Sequence, residues 1–521
     1  MVEMSAEDNS SRTVGGLSLL SEHNQQCLVR WNNSQAPPTN TDSSILDTIR
    51  AKALSQPEAT AIHSPDGIMT YHELDTISNK LAVHLRLLGV RPDILVPFLF
   101  QRCHWVVVVQ LAVLKAGGAF VPLEPAHPNA RLAEITKRTN CGFLLTSDAN
   151  ADRAALLAEK VVCVNHSLMS SLPTDFATYR LVPLSSPSSP AYVLFTSGST
   201  GQPKGCVVDC RAMAQIPNQA VVQSMGLSSA TRVLQFASYT FAISIFEIYY
   251  ALGSGATICM PTDHDRINNL ATVMVEMKIT WACMTPSLLR TLDPENSPAT
   301  LKRVFLGGEP MVKGEFEAWA AIVDLVYVYG ASEVSGAIGF TDHQCDGNEI
   351  AYRAFPGMRF WIADALDHHK LAPVGVTGEL ILEGPALAQR YLDDVQSTLT
   401  AFIDPPVWRQ SSGLPAVGAA ARMYKTGDLF RYAHDGSVIH VGRKGTQVKI
   451  RGKRLDLGEV EFHVSKCCPD VARVIAEPAA PLDANGVPAL VLFLYSADDA
   501  GERNGETSQT LFAAASERFQ S

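Results

Sequence analysis

A chain of 521 residues with 46% apolar and 18% charged content has enough apolar material for more than one core, so two or more folded units are expected and a single compact domain is disfavoured. With 42 basic against 52 acidic residues the formal net charge is −10, which argues against nucleic acid or anionic membrane as partners and leaves small molecules and proteins. The 11 cysteines run from Cys27 to Cys468, odd in number and without a C-x-x-C ligand spacing, as expected of reduced thiols in a cytoplasmic protein.

Residues 1–43, rich in Ser, Asn, Gln, Pro and Thr, read as a leader or linker, in which Leu17–Leu20 and Leu28–Trp31 are the pieces able to dock on a core. The opening MVEMSAEDNSSRTVGG lacks the basic segment and apolar core of a secretory signal. From Ser44 onward, helical patterns such as Asn79–Leu88 alternate with short apolar strands such as Ile94–Phe100 and Gly142–Thr146, which predicts helices packed on largely parallel sheets, an α/β fold. The longest apolar stretch, Trp105–Leu123, is interrupted by Gln110, Lys115, Gly117, Gly118 and Pro122, and reads as a buried helix running into a strand rather than a membrane span. Residues 179–190 form a connector before the strand Ala191–Phe195. Near Gly442 the chain turns basic through Lys444, Lys449, Arg451, Lys453 and Arg454, so a hinge is placed there, between a large domain at 44–442 and a small α+β domain at 443–521.

The strand Ala191–Phe195 leads directly into Thr196-Ser-Gly-Ser-Thr-Gly-Gln-Pro-Lys-Gly205. Small and hydroxylated residues followed by one lysine expose many backbone N–H groups, several hydroxyls and a cation in a short space, as polyphosphate binding requires. It is not a Walker loop, because Pro203 stands where that pattern has Gly and Gly205 where it has Ser or Thr.

Tyr192–Gly205 resembles the signature loop of the adenylate-forming superfamily. Met69–Leu74, Leu114–Leu123, Tyr329–Glu333, Gly378–Leu380, Tyr424–Leu429 and Gly442–Arg454 are similar to further segments of that family, in its order. The resemblance covers about residues 44–465, and Leu114–Leu123 with Gln447–Gly452 is most similar to adenylation domains of fungal nonribosomal peptide synthetases. It implies a large N-terminal domain and a small C-terminal domain across the hinge. It also implies that Thr196, Ser197, Gly198, Ser199, Thr200, Gly201 and Lys204 hold the departing pyrophosphate of ATP, while Ser332 touches phosphate and Glu333 holds Mg²⁺, a hard cation that takes oxygen ligands. Tyr329, with Gly308 and Gly330 beside it, would stack on adenine, Asp428 would accept from the ribose hydroxyls, and Arg443 would steady ribose or phosphate. Ala331-Ser332 replaces the family's usual Pro-Thr, keeping the hydroxyl, and Gly445 replaces its usual Asp or Lys at the hinge, where glycine permits wide rotation. The family closes its small domain with a Gly-Lys segment; here the last lysine is Lys466 and the chain stops at Ser521, so a truncated small domain, slow adenylation and retained binding are expected.

In amino-acid-activating members an aspartate in a Phe-Asp-x-Ser setting pairs with the substrate's α-ammonium, and Ala242 replaces it in Phe241-Ala-Ile-Ser-Ile-Phe-Glu247. An α-ammonium there would forgo a charge-assisted bond of about 1.5–3 kcal/mol. A neutral arylamine would not. The resemblance assigns Phe241, Ala242, Ile243, Phe246, Cys283, Phe305, Gly307, Val328, Gly336 and Ala337 to the acid pocket. Its glycines and alanines are expected to leave a slot for a planar ring. The implied substrate is an aromatic acid, anthranilate (2-aminobenzoate), loaded onto the phosphopantetheine thiol of a peptidyl carrier domain. The alternatives are an aryl-CoA ligase, activation of an α-hydroxy or α-keto acid, and a module that binds but catalyses weakly.

Overall fold

The computed structural model describes residues 20–33, 44–177, 185–196, 203–216, 219–309, 316–341, 349–415, 422–445, 447–450, 453–467, 473–479 and 489–495. The chain falls into two compact units, the larger built from residues 1–195 and 205–442 and the smaller from 196–204 and 443–521.

In the larger unit the valine-rich helix Trp105–Ala116 is buried along its whole length except at Lys115. That lysine is held by Asp75 Oδ1 at 2.6 Å and Ser78 Oγ at 2.8 Å, which pairs the charge within a largely apolar surrounding. Gly117, at φ +100°, ends the helix in the left-handed region that a side chain would resist, and the strand Ala119–Leu123 follows. This is the helix-into-strand reading of Trp105–Leu123. Among the described residues no helix is long and apolar enough to cross a membrane.

A seven-stranded sheet runs in the order 390–391, 204–209, 190–196, 119–123, 95–99, 144–146, 161–163. A second, larger sheet is mixed. Trp281–Met284, Arg303–Gly307 and Asp324–Gly330 are parallel neighbours, as helical crossovers demand. From Asp324–Gly330 onward the pairings with Ala337–Thr341, Ala351–Ala354 and the later strands are antiparallel. The expectation of largely parallel sheets therefore holds for part of the unit only. In the later stretch strands follow one another with few helices between them, and direct returns give antiparallel pairs.

Within the stretch read as a leader, the helix Glu22–Asn33 packs on this unit: Leu28 is fully buried and the Trp31 ring lies 5.6 Å from that of Tyr432. Its carboxyl end is tied down by two bonds, Phe360 N–H donating to Asn32 Oδ1 at 3.0 Å and Arg359 Nε to Asn32 O at 3.1 Å. Arg359 belongs to a buried cluster in which Glu383 takes Arg359 Nη1 at 3.0 Å, Arg409 Nη2 and Nε each at 2.7 Å, and Trp361 Nε1 at 2.9 Å.

The smaller unit contains the hairpin Gln447–Ile450 with Lys453–Asp456, the helix Leu457–Cys467, and the antiparallel pair Arg473–Ala479 with Ala489–Tyr495. Val464 and Val474, backed by Val460, Leu492 and Leu494, form its core, so this unit is α+β as expected.

Candidate active site

Register gathers the first of the residues expected to line an acid pocket. Cys283 pairs with Phe305, and Gly307 with Val328, across adjacent parallel strands. Side chains alternate along a strand, so Cys283, Phe305, Gly307 and Val328 share one sheet face, near the carboxyl ends where open α/β sheets bind ligands. Phe246 reaches the same face from a helix, its ring 6.1 Å from Phe305 and 5.5 Å from Trp281. Trp281, two residues before Cys283 on the same face and 4.9 Å from the Phe305 ring, completes an aromatic wall. Sequence reading missed Trp281; its alternation with Cys283 was the available signal.

The helical segment begins at Ala242, with Phe241 as its N-cap. Ser244 Oγ donates to the carbonyl of Phe241 at 2.8 Å, which fixes the turn that presents Ala242. Phe241 is 38% exposed and Ala242 and Ile243 are half-buried, so the start of this helical segment reaches solvent. From Phe246 to Tyr250 the helix widens into a π-helical turn, a feature often found at functional sites.

Inside that turn Glu247 is fully buried, another residue the sequence reading left without a role. Its carboxylate accepts from Ala237 N–H at 3.1 Å and Gln235 Nε2 at 2.9 Å, and Arg102 donates to Gln235 Oε1 at 2.5 Å. Burial pushes the Glu247 carboxyl up to about 7, against the opposing pull of Arg102 and of these donors. The folded chain then holds this proton more tightly than the unfolded chain, whose ordinary value is 4.5. The stabilisation is full below the lower value and is lost as pH rises through the upper one. Urea unfolding at pH 5 and pH 8 should show the wild type losing on the order of 3 kcal/mol relative to Glu247→Gln as pH rises. A pH-independent difference between the two proteins would contradict this.

The two glycines expected to open a slot are both closely approached. A Cβ on Gly307 would lie 2.8 Å from Val328 Cγ2 and from the Val328 carbonyl oxygen. Gly336 has φ +93°, and a Cβ there would lie 2.8 Å from the Tyr250 hydroxyl. Glycine at 336 is thus required by backbone and neighbour alike, and the space beside it is filled by Tyr250. The backbone of Ala337 lies in the strand Ala337–Thr341, while its side chain is outside what is described.

On the neighbouring strand Tyr329, two residues before Ala331-Ser332-Glu333, is buried and donates its hydroxyl to Asp428 Oδ2 at 2.5 Å. Burial first, and then the charge of Asp428, holds the Tyr329 phenol well above its usual range, so it stays a donor. Asp428 is presented by a bulge: between the pairs Glu379–Leu429 and Ile381–Lys425 the strand Met423–Tyr432 carries extra residues, with Gly427 at φ +72°. Thr426 Oγ1 donates to Leu380 O at 2.9 Å and accepts from Asp428 N–H at 3.0 Å, while Gly427 N–H donates to Glu379 Oε1 at 3.1 Å. The Thr-Gly-Asp segment is therefore a braced kink within a strand.

Glu333 is 1% exposed and accepts from the Tyr391 hydroxyl at 2.8 Å; the Ser332 carbonyl takes the Cys206 thiol at 3.2 Å. Gly330 closes the strand Asp324–Gly330, and Gly308, at φ +87°, follows Gly307. Among the described residues there is no cluster of three or more metal-ligating side chains. Thr196 and Lys204 end adjacent strands of the seven-stranded sheet, with Thr196 Oγ1 donating to Lys204 O at 3.4 Å. Ser197, Gly198, Ser199, Thr200 and Gly201 lie outside the described residues. Arg443 closes the strand Val438–Arg443 and opens the smaller unit's second segment; Gly445 has φ +75°.

The structure therefore brings together Phe246, Cys283, Phe305, Gly307 and Val328 as one group, and Tyr329 with Asp428 as another. Residues 49–392 match the AMP-binding enzyme family. The chain belongs to that family. As an AMP-binding enzyme it is an adenylate-forming ligase. It is 95% identical over 523 residues to nonribosomal peptide synthetase lenA of Aspergillus lentulus, covering all of this chain and 11% of that protein. It is 40% identical over 473 residues to N-benzoylphenylalaninol synthetase apmA of Penicillium brevicompactum, covering 90% of this chain and 19% of that one. Both shares show that the chain spans a small part of these relatives' length. Among solved structures it is similar in fold to holo-PA1221, a synthetase protein of adenylation and carrier domains bound to a vinylsulfonamide inhibitor: TM-score 0.75, 24% identity, 91% of this chain and 80% of that chain.

Proposed function

We propose that this AMP-binding enzyme condenses anthranilate with ATP to the aryl-adenylate and passes the acyl group to the phosphopantetheine thiol of a peptidyl carrier domain, as the adenylation domain of a larger cytoplasmic synthetase. In the first step a carboxylate oxygen bonds to the α-phosphorus and the bond to pyrophosphate breaks. In the second the thiol takes the acyl group, releasing AMP and its proton. Two anions meet in the first step, so the enzyme contributes positive charge and in-line positioning. Lys204 and the loop that it closes would hold the pyrophosphate, Tyr329 would stack on adenine, and Asp428 would accept from the ribose hydroxyls. Mg²⁺ would neutralise phosphate charge. Glu333, an oxygen donor oriented by Tyr391, suits an ion that takes one or two carboxylates and completes its shell with phosphates and water.

The observation that carries the substrate is Ala242. It is the first residue of its helical segment, an end that carries partial positive charge. An α-ammonium would meet that end without the family's aspartate, whereas an arylamine is neutral at pH 7. The apolar wall of Phe246, Trp281 and Phe305 suits a planar ring. The benzoyl group in the name of the Penicillium brevicompactum relative favours an aryl acid as well.

Acid-dependent pyrophosphate exchange should favour anthranilate over benzoate, salicylate, α-hydroxy and α-keto acids and the common amino acids. Preference for an α-amino acid would overturn the reading. Ala242→Asp should weaken anthranilate binding by roughly 10- to 100-fold, since it sets a carboxylate against a neutral amine that offers it no charge to pair with. An unchanged dissociation constant would remove Ala242 from the pocket.

A further inference from the structure

Gly336 and Tyr250 are a complementary pair. The phenol oxygen of Tyr250 lies 2.8 Å, and its ring carbon Cε2 3.1 Å, from the point that a Cβ on residue 336 would occupy. Tyr250 is 4% exposed, and its ring packs 4.9 Å from that of Phe246, so the phenol cannot swing aside freely. It is the last residue of the π-helical turn that starts at Phe246, which brings the two rings to one side of the helix. Tyr250 also lines a cavity of about 20 Å³ together with Gln215, Val221, Ser335, Phe355 and Met358. The phenol thus adjoins Phe246, the Cβ position of Gly336 and a small cavity.

We propose that Tyr250 is a specificity-determining residue, its phenol taking the volume that Gly336 vacates and setting the depth of the acid pocket to one ring. This rests on the assignment of Phe246 and Gly336 to the acid pocket. A second fused ring would have to occupy the volume held by the phenol, and removing the phenol would open that volume to the cavity that Tyr250 lines.

The test uses non-hydrolysable aroyl-sulfamoyl-adenosines, whose binding needs no turnover. Wild-type chain, Tyr250→Ala and Tyr250→Phe are titrated with the benzoyl and 2-naphthoyl compounds. The wild type should bind the benzoyl compound tighter, and Tyr250→Ala should cut that preference by roughly 10-fold or more, the scale on which pocket volume discriminates. Tyr250→Phe, which keeps the ring, should leave it within about threefold of the wild-type ratio. A Tyr250→Ala protein that binds the benzoyl compound with an unchanged ratio overturns the proposal. If that variant does not fold, Tyr250→Leu decides instead and should relax the ratio. An unchanged ratio in Tyr250→Leu overturns the proposal equally. A wild type that binds an α-aminoacyl compound and neither aroyl one overturns the aromatic reading alone. Tyr250 is then judged by the same variants against short and long side chains of the compound that binds.

Discussion

Glu383→Ala should destabilise the larger unit by about 3–5 kcal/mol, the cost of breaking a buried ion pair from one side. The carboxylate is 5% exposed, and the guanidiniums of Arg359 and Arg409 that face it are 1% and 6% exposed. Removing it leaves two desolvated cations together and strips the Trp361 indole N–H of its acceptor. Carbonyls of Asn32, Leu414 and Pro415 also receive these arginines, so the guanidiniums stay where they are rather than relax into water. Urea unfolding followed by tryptophan fluorescence measures the loss as a lower midpoint. Glu383→Gln, which keeps an acceptor and drops the charge, should fall between. A loss under about 1 kcal/mol for the alanine variant would mean that the cluster behaves as an exposed ion pair.

Asp428→Ala should weaken ATP binding by roughly 10- to 100-fold, the equivalent of about 1.5–3 kcal/mol for hydrogen bonds to a charged acceptor. The bulge at Gly427 and the bonds of Thr426 hold the backbone of residue 428 without help from its side chain. The variant should therefore keep the local chain path while losing the carboxylate that the proposed function aims at the ribose. Tyr329→Phe removes the 2.5 Å bond to Asp428 but leaves the ring, so its effect should be smaller and should fall on orientation. Equilibrium binding of ATP to the folded variants separates these losses from stability. An unchanged dissociation constant in Asp428→Ala would take this carboxylate out of the nucleotide site.

Where one signal dominated, local structure was legible. An apolar run interrupted by Gln110 and Lys115 and ending in Gly117-Gly118 reads as a buried helix turning into a strand, and Trp105–Ala116 with Ala119–Leu123 is that arrangement. The character of the second half of the sheet was not, because a strand's composition does not state the direction of its neighbour. The Thr-Gly-Asp segment shows the same limit: those residue types suit a turn, yet pairing on the strand Gly378–Glu383 makes them a bulge. Small residues at 307 and 336 can mean open space or close approach, and the difference lies with partners 21 and 86 residues away, Val328 and Tyr250. Glu247 carried no spacing that tied it to Arg102 or Gln235, since burial is a tertiary property.

The docked helix Glu22–Asn33 bears on where such a unit could be cut and grafted. A junction drawn at Ser44, where the apolar patterning begins, would discard Leu28 from the core and leave the Phe360 amide and the Arg359 Nε without the Asn32 oxygens that receive them. Gly436 has been shaped to the same helix: a Cβ there would lie 2.5 Å from the Trp31 ring, so the indole and the glycine travel as a matched pair. A seam upstream of Glu22 keeps key and lock on the same piece of protein, and a graft made there inherits a sealed surface instead of a raw one.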